Sequence, residues 1–546
     1  MTTERRTRVF ALACALSGAA FYLSFFWNFQ KTLSDWSGFG FSWTVQMFHN
    51  FVFGRPFQSS LFAGLGAGAS VGFTHNPYAY IHANVIHVNL TPYIFALLWS
   101  LAPAPATIYF LIFAWNLAAG AWLSRSILRR LGSTDLDQRA LFAVACLVGG
   151  GLLSVLCQMG QLLLFAGPFI LAVFDAFLSR RKAYFLLAVL ALALLSEDST
   201  MVLGTLAAFL FLFEEDGRPW GLAAGLVAAG WIGLVLFKIQ PTARAALTLT
   251  HSTTTAVVAG RVFALGARTL VANVSSMAPL LPSALAFPLA AAFFGVPDRK
   301  TLLRAAALGA AVALPHGIEC VLVGGAHHLL PPFYAMHLAL LVCLAGVPGR
   351  PAGGRAAAAL AAAFFAAALR VNAGQLPVEL KPALYRLAHK PAKAEAAALS
   401  LAGEEVSNRD VLSASRALPA DASLVYLVNN HLTGFLSARS DVWEFPDQFD
   451  RADYVLVQKD AIDADYSFAP RPGEPLSATF ASTPRANERG QRATAQMLDA
   501  LKAGLVGPGV YSVSSEDDHV LLLKRNAPTP REIPPSTFGW NWFRAR

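Results

Sequence analysis

Charge is what this chain has least of. Only 14% of its 546 residues are Asp, Glu, Lys or Arg, against about 25% in ordinary soluble domains. Acids are scarcer than bases, 33 to 42. The cations form no block. They sit in short turns between apolar stretches, as topology signals do, so the net charge of +9 does not describe a nucleic-acid-binding face. Cysteine is sparse too. Cys14, Cys146, Cys157, Cys320 and Cys343 all lie in apolar stretches, with no C-x-x-C spacing, which excludes a disulfide framework or zinc knuckle and leaves small buried hydrophobes. No internal repeat is present, and no paired broken helices mark two halves. A secondary transporter built on such symmetry is therefore disfavoured.

What the chain has in abundance is hydrocarbon, 55% of it hydrophobic. A bilayer core of roughly 30 Å takes about 20 apolar helical residues to cross, and only helices or closed barrels cross it. Eleven apolar stretches fill the first 370 residues: 9–27, 104–124, 139–157, 161–178, 183–196, 201–213, 220–237, 280–296, 302–324, 329–347 and 356–370. The first follows Arg5, Arg6 and Arg8 and lacks a small-x-small cleavage site, so it reads as a retained helix with a cytoplasmic N-terminus. The basic turns at Arg125–Arg130, Arg180–Lys182, Arg299–Arg304 and Arg350–Arg355 then all fall inside. The stretches 183–196 and 201–213 are short and flank an acidic pair, which suggests tilted or broken helices. Leu90 to Leu101 is too short to span and reads as a juxtamembrane or re-entrant helix.

The expected fold is an α-helical polytopic membrane protein of about eleven transmembrane helices over 1–375, with a first external loop at 28–103. A soluble external α/β domain follows over 376–525, and a Pro- and aromatic-rich tail over 526–546. In the soluble part, 404–417 and 493–503 read as helices, 423–428 and 454–457 as buried strands, and 510–513 with 520–523 as a hairpin.

Chemistry should sit at the polar residues that the membrane part keeps. The loop 28–103 has one carboxylate, Asp35, beside His49, His75, His82 and His87. An acid-poor, aromatic loop of this kind packs onto the membrane face. The i, i+5 offset of His82 and His87 is poor for a shared metal, and hydrogen-bonded loop histidines are the better reading. Glu197-Asp198 ends an apolar helix, where carboxylates are costly and usually face a cavity; a plain acidic helix–helix turn is the alternative. His316 and Glu319 share a helix face at i, i+3, lining a polar cavity or satisfying one another, with the second favoured. The loop 238–279 holds Lys238, Arg244, His251, Arg261 and Arg268 without one acid. Such cations suit a phosphate or pyrophosphate headgroup, or they snorkel to the interface.

The chain resembles the bacterial membrane proteins grouped as DUF2079, which are similar to GT-C glycosyltransferases using polyprenyl-phosphate sugars. The family's opening loop pattern, F-D-x-G-x-x-x-Q-x-x-x-N-x-x-x-G, is matched by Phe39 to Gly54, with Gln46, Asn50 and Gly54 in register. The family's H-x-S/T-P signal resembles His87 through Thr91-Pro92, and its K-E-D resembles Ser196-Glu197-Asp198. The exported segment is similar at Leu418–Leu424, Asn429-Asn430, Leu436–Arg439 and Ala452–Val455. Three positions depart. Gly40 stands where the family has its loop aspartate, Gln158–Gln161 replaces F-H-P-E, and Ser196 replaces the lysine.

The resemblance implies sugar transfer from a polyprenyl-phosphate donor to a glycan or lipid acceptor at the outer face of the inner membrane, with no nucleic acid involved. Its expected catalytic residues are Asp35, standing in for the missing loop aspartate, with Glu197 and Asp198 as further base or metal-ligand candidates. Gln46, His87, Arg244, Arg261 and Arg268 are the substrate-binding candidates, the arginines on the leaving phosphate. The sequence specifies no cofactor; a divalent cation is one that these carboxylates could hold. The rival expectation, favoured by Gly40, is a non-catalytic lipid-linked glycan binder or envelope assembly protein.

Overall fold

The computed structural model describes residues 39–53, 58–59, 81–82, 89–148, 162–239, 266–323, 329–347, 380–387, 389–419, 424–428, 441–444, 452–459 and 509–527, with positions 8, 12, 16, 436, 502 and 506 besides. Apart from positions 12, 16 and 502, the first and last apolar stretches, the second half of 139–157 and the helix expected over 493–503 lie outside these residues.

The helices, numbered along the chain, are α1 (Phe39–Phe53), α2 (Tyr93–Trp99), α3 (Pro105–Ala114), α4 (Gly120–Arg130), α5 (Leu136–Leu147), α6 (Ala166–Ser179), α7 (Lys182–Ala193), α8 (Glu197–Phe213), α9 (Arg218–Leu234), α10 (Ala267–Ser276), α11 (Leu281–Phe294), α12 (Arg299–Val323), α13 (Leu330–Gly346), α14 (Leu380–Leu387) and α15 (Pro391–Ala417). A π-helical turn, Trp115–Ala119, joins α3 to α4. Among the described residues three helices are long and apolar enough to cross a membrane: Thr107–Arg130, Arg218–Ile239 and Arg299–Leu322. Leu163–Ser179, Lys182–Ala193, Leu281–Phe294 and Leu330–Gly346 are apolar but shorter. The stretch at 90–101 is indeed short, a seven-residue α2.

The helix ends follow from local chemistry. Arg129 and Arg130 close the last turn of α4, where cations complement the helix dipole, and Gly132 takes the left-handed conformation that ends it (φ 73°). The turns here are then fastened to one another. Arg130 pairs with Asp175 of α6 at 2.8 Å, the carboxylate 1% exposed. Arg180 pairs with Asp216 at 3.1 Å, and Arg304 of α12 with Glu214 at 2.7 Å. Thr301 of α12 touches Gly346 so closely that a Cβ there would lie 2.6 Å from its methyl. Arg139 of α5 donates to the Leu344 and Val347 carbonyls at the end of α13 and to Thr134 Oγ1. These contacts close a ring through the turns described at this end, placing the basic turns at 125–130, 180–182 and 299–304 at one end of the bundle.

Between the ends, helices are joined by buried polar groups within apolar surroundings. Tyr334 Oη donates to Asn116 Oδ1 at 2.7 Å, and Asn116 Nδ2 donates to the Ile112 and Leu164 carbonyls. Ser124 Oγ and His337 Nε2 are 2.8 Å apart. Where no water competes, such bonds hold helices together.

The C-terminal residues form a five-stranded mixed sheet. Its strands are β3 (Val425–Val428), β4 (Asp441–Glu444), β5 (Tyr454–Gln458), β6 (Tyr511–Glu516) and β7 (Val520–Arg525), after a two-residue pair β1 (Gln58–Ser59) and β2 (Ile81–His82) near the N-terminus. The order is β4-β3-β5-β7-β6, parallel from β4 to β5 and antiparallel from β5 to β6. Strands β5 and β7 are almost wholly buried and pack on α15. The hairpin turns on Asp517, whose carboxylate accepts from the His519 and Val520 amides. Helix α15 begins 13 residues before the expected 404. Strand β4 was not expected from the sequence.

Candidate functional site

At the end of the bundle away from the ring, α7 stops and α8 begins. Helix α7 has 12 residues, about 18 Å of rise, well short of a roughly 30 Å hydrocarbon core. Its last carbonyls therefore need partners from the protein. They come from the segment before α2. The Leu194 carbonyl accepts from both the Leu90 and Thr91 amides, at 2.8 and 3.0 Å, and Thr91 Oγ1 donates to the Ala191 carbonyl at 2.7 Å. From the other side, Thr200 Oγ1 donates to the Ala193 carbonyl at 2.9 Å. The Thr91-Pro92 signal is thus bound to the end of α7 that leads into the Ser196-Glu197-Asp198 turn, Thr91 meeting Ala191 across 100 positions of sequence.

Ser196 is the N-cap of α8, its hydroxyl accepting from the Ser199 amide at 3.1 Å. Ser196, Ser199 and Thr200 are buried, while Glu197 and Asp198 are half-buried in the first helical turn. Carboxylates are favoured there by the helix dipole, which gives the pair a structural role alongside any chemical one. Helix α12 closes a third side. His316 is fully buried, and its Nε2 lies 3.3 Å from the Asp198 carbonyl. The histidine reaches the acidic turn's backbone, a contact beyond the expected His316–Glu319 pair; the Glu319 side chain lies outside the described residues. Pro315 interrupts the α12 ladder beside His316. One turn on, Asn273 of α10 donates to the Val321 carbonyl at 3.0 Å, so α10, with Arg268 in its first turn, rides on the same end of α12.

The expected residues divide accordingly. The backbone of Asp198 meets His316, Thr91 binds the end of α7 just before the acidic pair, and the helix carrying Arg268 packs on α12 one turn beyond His316. Gln46 is buried in the middle of α1, one turn before the equally buried Asn50. Helix α1 packs on α2 through Phe51 stacked on Tyr93 at 4.6 Å, so Gln46 belongs to the neighbouring layer. Gly40 begins that same helix. Asp35, His87, Arg244 and Arg261, and the side chain of Arg268, lie outside the described residues. Aromatic contacts seat α1 and α2 on the bundle, Phe48 on Trp99 at 6.5 Å and Phe95 on Phe165 at 4.1 Å. Burial holds the His49 imidazole, set against Trp99, down to about 4, and therefore neutral at pH 7.

Among the described residues no three His, Cys, Asp or Glu side chains converge as a metal site would require. The sequence reading passed over the serine and threonine hydroxyls and the Leu194 carbonyl that build this turn; only the Thr-Pro signal pointed to them.

No protein-family model matches the chain, and no curated protein does. The DUF2079 resemblance therefore rests on the residues quoted for it. Among solved structures, the crystal structure of ArnT from Cupriavidus metallidurans bound to undecaprenyl phosphate aligns over 93% of this chain and 97% of its own, at 13% identity and a TM-score of 0.47. A likeness of that size is too coarse to assign a fold or place a residue.

Proposed function

We propose that this protein is a GT-C-like membrane glycosyltransferase that moves a sugar from a polyprenyl-phosphate donor to a glycan or lipid acceptor. The single observation that carries the proposal is the acidic turn. Two half-buried carboxylates open α8 just past the end of the short helix α7, whose last carbonyls are bound by Thr91 and Leu90, and His316 lies 3.3 Å from the backbone carbonyl of Asp198. In the proposed topology this end faces outward from the inner membrane, the N-terminus is cytoplasmic, and the C-terminal sheet is external. The carboxylate of Asp35, Glu197 or Asp198 takes the proton of the acceptor hydroxyl. The acceptor oxygen bonds to the anomeric carbon, the carbon–oxygen bond to phosphate breaks, and its electron pair leaves on the phosphate. Arg244, Arg261 and Arg268 offset that charge.

The test is turnover of a polyprenyl-phosphate sugar by the full chain in proteoliposomes, read as release of the polyprenyl phosphate. Glu197→Gln and Asp198→Asn are expected to abolish turnover at near-normal membrane abundance, and Asp35→Asn to abolish it while sparing donor binding. Full turnover in all three would sink the catalytic reading. The first-turn position of the acids favours a second reading, a non-catalytic lipid-linked glycan binder. In that case wild type binds the donor without turnover, and Glu197→Gln lowers abundance instead.

A further inference from the structure

The opposite end of the bundle carries a second feature. Turn 180–182 is locked onto turn 214–218, Arg180 Nη2 lying 3.1 Å from Asp216 Oδ2 and Nη1 donating to the Asp216 carbonyl. Beneath this lock Trp220 meets Phe185 edge-on at 4.8 Å, so α7 and α9 start side by side. Arg180 is taken by Asp216, and Glu214 by Arg304. This leaves Arg181, Lys182 and Arg218 exposed, with no ion pair among the described residues, against the exposed carboxylate of Glu215, Asp216 being exposed too but held by Arg180.

The surface below is as specific as the charge. Lys182, Leu186 and Leu190 lie at i, i+4, i+8 on α7, and Arg218, Leu222 and Leu226 at the same spacing on α9. All four leucines are exposed, Leu222 by 56% and Leu226 by 65%. Each stripe thus begins with a cation and continues as hydrocarbon, which is the profile of a phospholipid with its phosphate uppermost. Both helices start without an acid in the first turn or a side-chain cap, so their dipoles add to the positive field.

We infer that the paired starts of α7 and α9 bind anionic phospholipid, headgroup phosphate on Arg181, Lys182 and Arg218 and acyl chains along the two leucine stripes. The occupant is anionic because three free cations face one free carboxylate, and it is a lipid because each cation stripe runs into exposed leucines. The site is independent of the acidic turn, which lies at the far ends of α7 and α8, and of any reaction there.

The full chain in phosphatidylcholine nanodiscs doped with spin-labelled phosphatidylglycerol or phosphatidylcholine tests this. Wild type is expected to prefer phosphatidylglycerol, and to lose most of the preference in high salt. At about fivefold per cation near an anionic surface, the triple variant Arg181→Gln, Lys182→Gln, Arg218→Gln is expected to lose it entirely without altered melting in phosphatidylcholine. Should the triple variant fail to fold, Lys182→Gln and Arg218→Gln singly are expected to lower the preference several-fold, and Glu215→Gln to raise it. Absence of any preference in wild type, or a preference unchanged in the folded cation variants, overturns the inference. Turnover of a polyprenyl-phosphate sugar is a separate readout, and neither result decides the other.

Discussion

Replacing Gly167 by alanine drives a methyl group into the ring of Tyr334. An ideal Cβ at Gly167 would lie 2.0, 2.2 and 2.6 Å from three carbons of that ring, where carbon atoms normally stay about 3.5–4.0 Å apart. Tyr334 has nowhere to go. It is fully buried, its hydroxyl is bound to Asn116 at 2.7 Å, and Phe333 and His337 flank it. Either α6 and α13 separate or the ring swings away and breaks the Asn116 bond. Overpacking costs about 1–3 kcal/mol, and where the ring swings away the lost hydrogen bond adds about 0.5–1.5 kcal/mol, so the expected loss is about 1–4.5 kcal/mol. Cys146, Cys320 and Cys343 are buried free thiols. With Cys14 and Cys157 changed to serine, they report unfolding in detergent through a thiol-reactive dye. Gly167→Ala is expected to lower the labelling midpoint by several degrees. In a Tyr334→Ala background the same substitution is expected to cost almost nothing, because the clash is gone. An unchanged midpoint for Gly167→Ala in the wild-type background would refute the packing on which this rests.

Thr91→Val keeps shape but removes the donor to the Ala191 carbonyl; a loss of about 1–3 kcal/mol is expected, read as faster hydrogen exchange at Leu194–Thr200. Glu516 is held below the usual carboxylate range by hydrogen bonds from Lys459 and then Lys502. A depressed carboxyl stabilises the fold above its unfolded value and loses that contribution as pH falls through its folded one. Exchange protection of the β6–β7 hairpin is therefore expected to fall on acidification below the usual carboxylate range, and to respond less to pH in Glu516→Gln. Reporter fusions after Leu380 are expected to be active only as exported enzymes; activity of a cytoplasmic reporter there would reverse the proposed topology.

The apolar helices were legible because the signal is local. Arg129-Arg130, Arg180–Lys182 and Arg299-Lys300 punctuate hydrocarbon, and charge at the end of an apolar run marks its boundary whatever else the chain does. The strands at 425–428, 454–458 and 520–525 were legible for a similar reason, since buried strands are short apolar runs between turn residues. Strand β4 was not, because Asp-Val-Trp-Glu is four residues bounded by carboxylates with no apolar run, and it becomes a strand only by pairing with β3. Asn116, Tyr334, Ser124 and His337 passed unremarked in the sequence although polar groups in apolar helices invite attention.

Glu197 and Asp198 stood out by type alone, a carboxylate pair where carboxylates are costly. What they touch did not. Thr91 reaches the end of the preceding helix, at Ala191, across 100 positions, His316 reaches the Asp198 carbonyl across 118, and the pairs Arg130–Asp175 and Arg304–Glu214 span 45 and 90. Composition and period act over a helical turn or two and so determine which residues are helical, apolar or out of place. Which carbonyl at the end of α7 is met by which hydroxyl depends on how whole helices pack, and that is set by long-range contacts that no local pattern encodes.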